Sequence, residues 1–222
     1  MLDLCGKPVI QHVIERISQS KEIDDIVIAT TTLEQDKIIV KEAERNCVKW
    51  FRGSEEDVLS RYYHAAKENN LEIVVRVTSD CPLIDPYVTD NIVRYFKENK
   101  HDIVTNASAD LRTRTYPRGL DTEVFSFKAL EDAFNNAREK YQREHVTPYL
   151  YENANSIYYY KDITDYSKYR WTLDTEEDLE LIRTIYKYLY KGEHNFYYRD
   201  IIKLLEVYPE IAKLNETVEQ KK

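Results

Sequence analysis

Short apolar runs alternate with segments of helical periodicity along this chain, and the alternation restricts the fold more than any other feature. The clearest run is Ile-Val-Val-Arg-Val at 73–77, typical of a buried parallel strand. The predicted strands are 25–30, 48–51, 73–77, 102–106, 122–127, 156–161 and 169–173. The predicted helices start at Pro8 and at Ser54 and cover 33–46, 86–98, 128–138, 143–152, 175–190 and 199–207. This order predicts a doubly wound, mostly parallel sheet with helices on both faces.

Length and composition are those of one globular domain over residues 1–222, with a polar tail from about residue 208. Apolar residues make up 42% of the 222 residues and charged residues 32%, which favours a packed core. The formal net charge of −8 argues against non-specific nucleic-acid binding, because the chain has no excess of phosphate-neutralising cations. A local basic pocket could still bind a small anionic substrate.

The three cysteines are interpreted as reduced thiols of a cytoplasmic protein. Cys5, Cys47 and Cys81 are odd in number, far apart and without metal-ligand spacing. No apolar stretch is long enough to span a bilayer, and the amino end lacks a secretory signal pattern. We therefore expect neither a membrane nor a nucleic-acid partner.

Asp80 is the first candidate for chemistry, because it follows the clearest strand. Ligands of doubly wound sheets bind at the carboxyl ends of strands. A carboxylate there can hold Mg²⁺ against substrate phosphates, since Mg²⁺ prefers one or two carboxylates together with phosphate oxygens. Position alone leaves an alternative open, in which Asp80 only forms an Asx-type turn.

Asp174 is the second candidate and lies between a predicted strand and a predicted helix. With Glu177 three residues later, it also fits a helix N-cap, so the purely structural alternative is stronger here. Two strand-end carboxylates in one α/β domain nonetheless suggest metal-assisted phosphoryl or nucleotidyl transfer.

Six short motifs occur in an order that resembles the spore-coat polysaccharide biosynthesis cytidylyltransferases, relatives of the CMP-KDO synthetases. The resemblance extends to about Val207. The motifs are Gly6-Lys7-Pro8, Gly53-Ser54 with Asp57 to Arg61, Thr78 to Pro82, Arg118-Gly119-Leu120-Asp121, Arg143 to Pro148, and Leu173-Asp174-Thr175. It implies a three-layer α/β/α, Rossmann-like nucleotide-diphospho-sugar transferase fold.

The resemblance also implies a reaction and roles for individual residues. CMP would pass from CTP to a hydroxyl of a sugar, expected to be an acidic or modified one, with release of pyrophosphate. Asp80 and Asp174 would bind Mg²⁺, and the residues near the base and ribose would be Ser54, Asp57 and Arg61. The residues facing the acceptor sugar would be Arg118, Asp121, Arg143 and His145. A homodimer is a further implication.

Each of these smaller side chains also has a purely structural interpretation. Ser54 could serve only as an N-cap and Arg61 as a solvated helix residue. Arg143 and Glu144 could form a surface ion pair, and His145 could be a packed histidine.

The amino-terminal pattern departs from that family. Its members begin with a strand and a Gly-containing loop, whose arginine and lysine grip the triphosphate. The four glycines here are too far apart to form such a loop, and no strand is predicted before the first helix. We expect that one strand and the phosphate loop are missing.

Two other functions stay open at this point. A non-catalytic nucleotide-sugar-binding or interaction protein would tolerate the loss of the triphosphate loop. A glycosyltransferase is less favoured, because its metal-binding Asp-x-Asp pair is not found in the sequence. The metal hypothesis makes one geometric prediction, that Asp80 and Asp174 converge although 94 positions separate them.

Overall fold

The structure, a computed structural model, describes residues 2–108, 110 and 112–218. The strands of these residues are β1 (Asp3–Leu4), β2 (Lys7–Pro8), β3 (Val27–Thr31), β4 (Lys49–Gly53), β5 (Ile73–Arg76), β6 (Ile103–Thr105), β7 (Glu123–Ser126) and β8 (Ile157–Tyr159). The α-helices are α1 (Val9–Ile17), α2 (Lys37–Arg45), α3 (Val58–Glu68), α4 (Pro86–Glu98), α5 (Phe127–Asn136), α6 (Lys140–His145), α7 (Pro148–Asn153), α8 (Glu176–Leu189), α9 (Tyr198–Val207) and α10 (Pro209–Ala212).

The strands form one mixed four-stranded sheet and two smaller pairs. In the larger sheet the order is β5-β7-β6-β8, and β7 runs antiparallel to both of its neighbours while β8 is parallel to β6. Strands β3 and β4 pair in parallel, with Val27 opposite Lys49 and Thr31 opposite Gly53. The predicted α/β class is confirmed, and the antiparallel β7 makes the sheet mixed.

Helices cover both faces of the four-stranded sheet, which gives the three layers expected. Side chains on a strand alternate between faces, and two neighbouring residues of β7 belong to different cores. Val124 packs with residues of α4, α8 and α9, whereas Phe125 packs with residues of α3, α5 and α7. Val104 and Ile103 of β6 divide in the same way.

The predicted strand at 169–173 forms only an isolated bridge. Arg170 pairs in parallel with Arg118, and the extended segment then passes to a different neighbour, where the Leu173 amide donates to the Asp80 carbonyl at 2.9 Å. Because its partner changes within three residues, no regular ladder develops. The prediction of an extended segment holds, but that of a strand was wrong.

The single helix predicted over 143–152 is two helices with a tight turn between them. Val146 has φ 70° and ψ −56°, and the Thr147 amide donates to the His145 carbonyl at 2.8 Å. This is a γ-turn, which is a strained conformation for a β-branched residue. Pro148, which lacks an amide hydrogen, then begins α7.

Both ends of the described chain hold more structure than was predicted. Strands β1 and β2 form a short hairpin before α1, and its turn residues Cys5 and Gly6 have φ of 52° and 81°. At the other end, the predicted polar tail is folded as far as Asn215, since α10 and a 3₁₀ turn at Lys213–Asn215 pack onto the core. No helix among the described residues is long and apolar enough to cross a membrane.

Candidate functional site

Asp80 lies just beyond β5, on a segment that a backbone hydrogen bond fixes to the segment around Leu173. Its backbone carbonyl accepts from the Leu173 amide, and its half-buried carboxylate contacts the Cys81 thiol at 3.6 Å. Within the described residues, no backbone amide or basic side chain donates to this carboxylate, so the Asx-turn alternative lacks its hydrogen bond. Burial, and next the negative charge of Asp80, raises the pKa of Cys81. The Asp80 carboxylate is therefore available for a ligand.

Asp174 lies next to Leu173 and so on the segment that contacts Asp80. Its carboxylate forms an ion pair with Arg170, and 30% of its side chain is exposed. It does not cap α8, because that capping box is made by Thr175 and Asp178. Asp80 and Asp174 thus lie on segments that a backbone hydrogen bond joins. Their metal-binding role stays a prediction.

The segment from Arg118 to Asp121 packs tightly against the chain that leads to Asp174. A Cβ atom at Gly119, where φ is 95°, would come within 2.6 Å of the Trp171 carbonyl carbon. Glycine is therefore required for this close approach. Asp121 pairs with the buried Arg114 at 2.6 Å, and burial raises the pKa of Asp121 although Arg114 opposes the shift.

Arg118 brings a cation without a fixed counter-charge to this place. No hydrogen bond or ion pair of its guanidinium is found within the part of the chain that the structure describes. Burial, and next the charge of Arg114, lowers the pKa of Arg118, and the charge of Arg170 acts in the same direction. Such a cation suits an anionic group of a ligand.

A second group of predicted residues surrounds the start of α3, which follows β4. Asp57 caps α3 by accepting from the Ser60 amide at 2.9 Å, so the helix does not begin at Ser54 as predicted. The exposed Ser54 hydroxyl instead accepts from the Asp57 amide at 3.0 Å. The Ser54 carbonyl also accepts from Arg61 at 2.9 Å. Burial lowers the pKa of Arg61, whose Nε atom is buried and has no partner among the described residues.

Arg143 belongs to this second group rather than beside Arg118 and Asp121. Its guanidinium donates to both carboxylate oxygens of Asp57, with Nη2 at 2.5 Å from Oδ2, and to the Phe134 carbonyl at 2.8 Å. Arg143 therefore pairs with Asp57, and not with Glu144 as the structural alternative had it. His145 is exposed rather than packed, at the end of α6. Among the described residues, no hydrogen bond or ion pair joins Arg143 or His145 to Arg118 or Asp121, and the roles of these four residues stay predictions.

The pattern of the sequence did not identify three residues that hold Asp174 in place. Arg170, Asp178 and Asn215 form a hydrogen-bonded chain behind it. The spacing of Arg170, four residues before Asp174 and eight before Asp178, was the available signal. Asn215 gave none, because its contacts depend on how the carboxyl end folds back.

The histidine pair of α1 and of the segment before α9 forms a separate buried polar cluster. In the described residues, His12, Glu15 and His194 present ligand atoms within 4.8 Å of one another, a set that could hold a metal ion. Without a metal ion, neighbouring cationic side chains already donate hydrogen bonds to Glu15 and His194. Lys7 donates to both oxygens of Glu15 at 2.8 and 2.9 Å, and Arg16 donates to His194 Nδ1 at 3.4 Å.

The hydrogen bonds of this cluster assign the ring protons. His12 Nε2 donates to the Leu4 carbonyl at 2.6 Å, so its Nδ1 is the acceptor for His194 Nε2 at 3.1 Å. Both rings are then neutral. Burial, and next the charge of Arg16, lowers the pKa of His194 to about 3. The cluster ties α1 to the chain before α9.

A known family profile matches nearly the whole of this chain. The profile, described as cytidylyltransferase, covers residues 1–204. The chain belongs to the cytidylyltransferase family. It is accordingly a nucleotidyltransferase, an enzyme class that moves a nucleotide group.

Individual relatives agree with membership of the cytidylyltransferase family. An uncharacterised protein of Methanocaldococcus jannaschii is 40% identical over 225 residues, which cover 100% of this chain and 89% of the relative. The spore coat polysaccharide biosynthesis protein SpsF of Bacillus subtilis is 29% identical, over 78% of this chain and 73% of its own. A solved cytidylyltransferase of Leptospira borgpetersenii is 35% identical with a TM-score of 0.89, over 99% of this chain and 91% of its own.

The oxygen atoms of this cytidylyltransferase site fit a hard divalent cation. Asp80 offers a carboxylate without a basic partner among the described residues, and Asp174 offers a second one shared with Arg170. In the described chain, neither aspartate contacts a histidine. The thiol of Cys81 next to Asp80 is buried and protonated, so it is not a thiolate ligand. Oxygen-only ligands of this kind suit Mg²⁺.

Proposed function

We propose that this enzyme transfers CMP from CTP to a sugar hydroxyl, with release of pyrophosphate, in the synthesis of a polysaccharide or another glycan. The observation that carries the proposal is the 2.9 Å hydrogen bond between the Leu173 amide and the Asp80 carbonyl, because it makes the segments of the two strand-end aspartates neighbours. Family membership supports the nucleotidyl group, and the relative in Bacillus subtilis supports the glycan product.

In this reaction the acceptor oxygen attacks the α-phosphorus of CTP. The bond from that phosphorus to the bridging oxygen breaks, pyrophosphate leaves with the electron pair, and the hydroxyl proton passes to solvent. Asp80 and Asp174 would hold Mg²⁺, which would neutralise charge that develops on the α-phosphate. The protein itself contributes mainly the alignment of the two substrates.

The nucleotide end of the site is proposed to lie near Ser54 and Arg61. Ser54 is exposed, and Arg61 retains a buried donor, Nε, that no described protein group satisfies. Asp57 is already engaged by the α3 amide and by Arg143. Its part is to hold this loop in shape, while the base and ribose contact its neighbours.

The acceptor end is proposed to take an anionic sugar, with Arg118 as its recognition group. Arg118 is a half-buried cation whose neighbours Arg114 and Arg170 already have carboxylate partners, so a carboxylate of the substrate could pair with Arg118 itself. Asp121, held by Arg114, is proposed to accept from sugar hydroxyls. The exposed His145, on the same helix as Arg143, is proposed to contact substrate only from the edge of the site.

The experiment is a pyrophosphate-release assay with CTP, Mg²⁺ and a panel of neutral and acidic sugars. We expect release with an acidic sugar, and a loss of roughly 100-fold or more in Asp80→Asn and Asp174→Asn. Asp24→Asn, at an exposed position, is the matched control and should retain full activity. Release at the wild-type rate in all three variants would contradict the metal mechanism. CTP binding without release by the wild type would favour the non-catalytic alternative.

We also propose that one more strand lies between β3 and β5 in the active protein. Among the described residues, β3 pairs only with β4, and β5 only with β7. Ile26 before β3 and Val77 after β5 nevertheless pack in one cluster with Val13 and Ile17 of α1. Unpaired edges that flank a shared core are a usual place for strand addition.

The strand proposal is tested on a chain lengthened by the in-frame codons that precede Met1. We expect the added segment to tighten CTP binding, because a strand of this kind would carry the triphosphate loop. Unchanged CTP affinity, or an in-frame stop codon at this place, would contradict it.

We further propose that the protein is a homodimer in the cytoplasm, and light scattering on the purified protein tests the dimer.

A further inference from the structure

The carboxyl-terminal segment of the described chain folds back onto the candidate active site. It comprises α10 and the 3₁₀ turn at Lys213–Asn215, and it follows the residues matched by the family profile. Ile211 belongs to the larger core, and Asn215 has only 5% of its surface exposed. A polar side chain buried in this way must be hydrogen-bonded, and its partners show what the segment does.

Asn215 donates to two groups of the segment that carries Asp174. Its Nδ2 atom lies 2.7 Å from Asp178 Oδ1 and 2.9 Å from the Arg170 carbonyl oxygen. Asp178 is fully buried. Asn215 therefore supplies one of the hydrogen-bond donors that this buried carboxylate needs.

Asp178 in turn fixes both the backbone and the side chain around Asp174. Its Oδ2 atom accepts from the Asp174 amide at 3.0 Å and from the Thr175 amide at 3.2 Å. Its carboxylate also binds Arg170, at 3.1 Å from Nε, and the same guanidinium pairs with Asp174. The contacts run without a break from Asn215 through Asp178 and Arg170 to Asp174.

We propose that Asn215 is a positioning residue, through which the folded carboxyl-terminal segment sets the orientation of Asp174 for its metal ion. The inference rests on the proposed function and deepens it. Arg170 pairs with the Asp174 carboxylate and would share it with the cation, so its position would determine how much of that carboxylate is left for the cation. Loss of the Asn215 amide leaves Asp178 short of a donor and lets Arg170 move toward it.

The test uses the full chain and measures cation binding directly. Free Mn²⁺ is followed by electron paramagnetic resonance, alongside the Mg²⁺ concentration for half-maximal pyrophosphate release and the thermal midpoint. For Asn215→Ala we expect Mn²⁺ affinity and Mg²⁺ half-saturation to weaken by about 3- to 10-fold, which is less than the roughly 10- to 100-fold typical of residues that contact a metal ligand directly, because Asn215 acts through Asp178 and Arg170. Glu216→Ala, at the next and exposed position, is the control and should leave both unchanged.

A second variant keeps the test decisive if Asn215→Ala folds poorly. Asn215→Ser retains a small polar group and should show a weaker shift in the same direction. Wild-type Mn²⁺ affinity and Mg²⁺ half-saturation in a folded Asn215 variant, whatever its thermal midpoint, would overturn the inference. If the unchanged protein binds no Mn²⁺, or binds it equally after Asp80→Asn, then the proposed function itself fails.

Discussion

At the scale of single residues, the site depends on a glycine that no other residue can replace without strain. Gly119 combines a left-handed φ of 95° with backbone atoms of Trp171 at 2.6 and 2.7 Å from the place of a Cβ atom. The close contact keeps Arg118 beside Arg170. A substitution at Gly119 would disturb the position of Arg118, the cation proposed to bind the substrate, and would also lower the stability of the fold.

We expect Gly119→Ala to lower the free energy of unfolding by about 3 kcal/mol, from unfavourable φ and from the steric overlap together. Gly192→Ala is the matched control, because Gly192 has φ of 99° but no heavy atom within 4 Å of the place a Cβ atom would occupy. It should cost about 1 kcal/mol. Urea unfolding measures both, and equal losses would show that the contact with Trp171 has no energetic weight.

The buried His194 makes the free energy of unfolding depend on pH. The pKa of His194 is lowered to about 3 in the folded protein from an ordinary value of 6.5. Between these values the unfolded chain binds the proton and the folded chain does not. The stabilising contribution is therefore full above about pH 6.5 and is lost as pH falls toward 3.

We expect the free energy of unfolding of the wild type to fall over this acidic range more steeply than that of His194→Gln, which has no proton to take up. His64→Gln, at an exposed position, should follow the wild-type curve. Urea unfolding at a series of pH values from about 4 to 8 provides the measurement. Parallel curves for wild type and His194→Gln would mean that His194 is protonated equally in both states.

At the scale of secondary structure, most elements were predictable because their signals are local. The run at 73–77 and the helix after Pro86 needed only apolar periodicity and a proline at the first turn. The extended segment at 169–173 was not classified correctly, because whether it forms a ladder depends on partners at Arg118 and Asp80. The break at Val146 was missed, since its periodicity continues across the turn.

The γ-turn between α6 and α7 predicts an unusual order of stabilities at Val146. The side chain is fully buried, so Val146→Ala loses packing while it keeps the strained φ of 70°. Val146→Gly loses one carbon more but relieves the strain. We expect the glycine variant to be at least as stable as the alanine variant, by about 0–1 kcal/mol, the reverse of their order in a helix.

Thermal or urea unfolding of the two Val146 variants is the measurement. Ala133 of α5, buried in the same cluster, supplies the control, because Ala133→Gly in an ordinary helix should destabilise. If Val146→Gly is less stable than Val146→Ala by as much as that control, then the turn is not strained in solution.

The candidate site was partly predictable for the same reason as the elements. Asp80 and Asp174 follow extended segments, and the strand-end rule directs attention to them from the sequence alone. The assignment of Arg143 to the group of Arg118 was a different matter. Arg143 lies beside Asp57 because α6 packs against α3, a long-range contact that has no signature in residue order.

At the scale of the whole molecule, the four-stranded sheet and the β3–β4 pair differ in how far their residues are buried. The residues of β6 and the first three of β7 are buried, whereas those of β3 and β4 are mostly half-buried or exposed. Local stability follows the burial of backbone hydrogen bonds. The β3–β4 unit is therefore less protected than the β6–β7 unit.

We expect amide hydrogen exchange to proceed faster in peptides from 27–53 than in peptides from 103–126. Protection in the first region should rise in the lengthened chain if a further strand pairs with β3. Mass spectrometry of the exchanged peptides measures both. Uniform exchange over the two regions would show that the sheets unfold as one cooperative unit.

The thiol next to Asp80 has a consequence for how such unfolding could be followed. Cys81 is buried, while Cys5 and Cys47 are exposed. An alkylating reagent should thus label two sites at once and reach the third only when the chain opens beside Asp80. The rate of that third modification is a built-in reporter of local opening at the carboxyl end of β5, and a nucleotide bound at the proposed site would slow it.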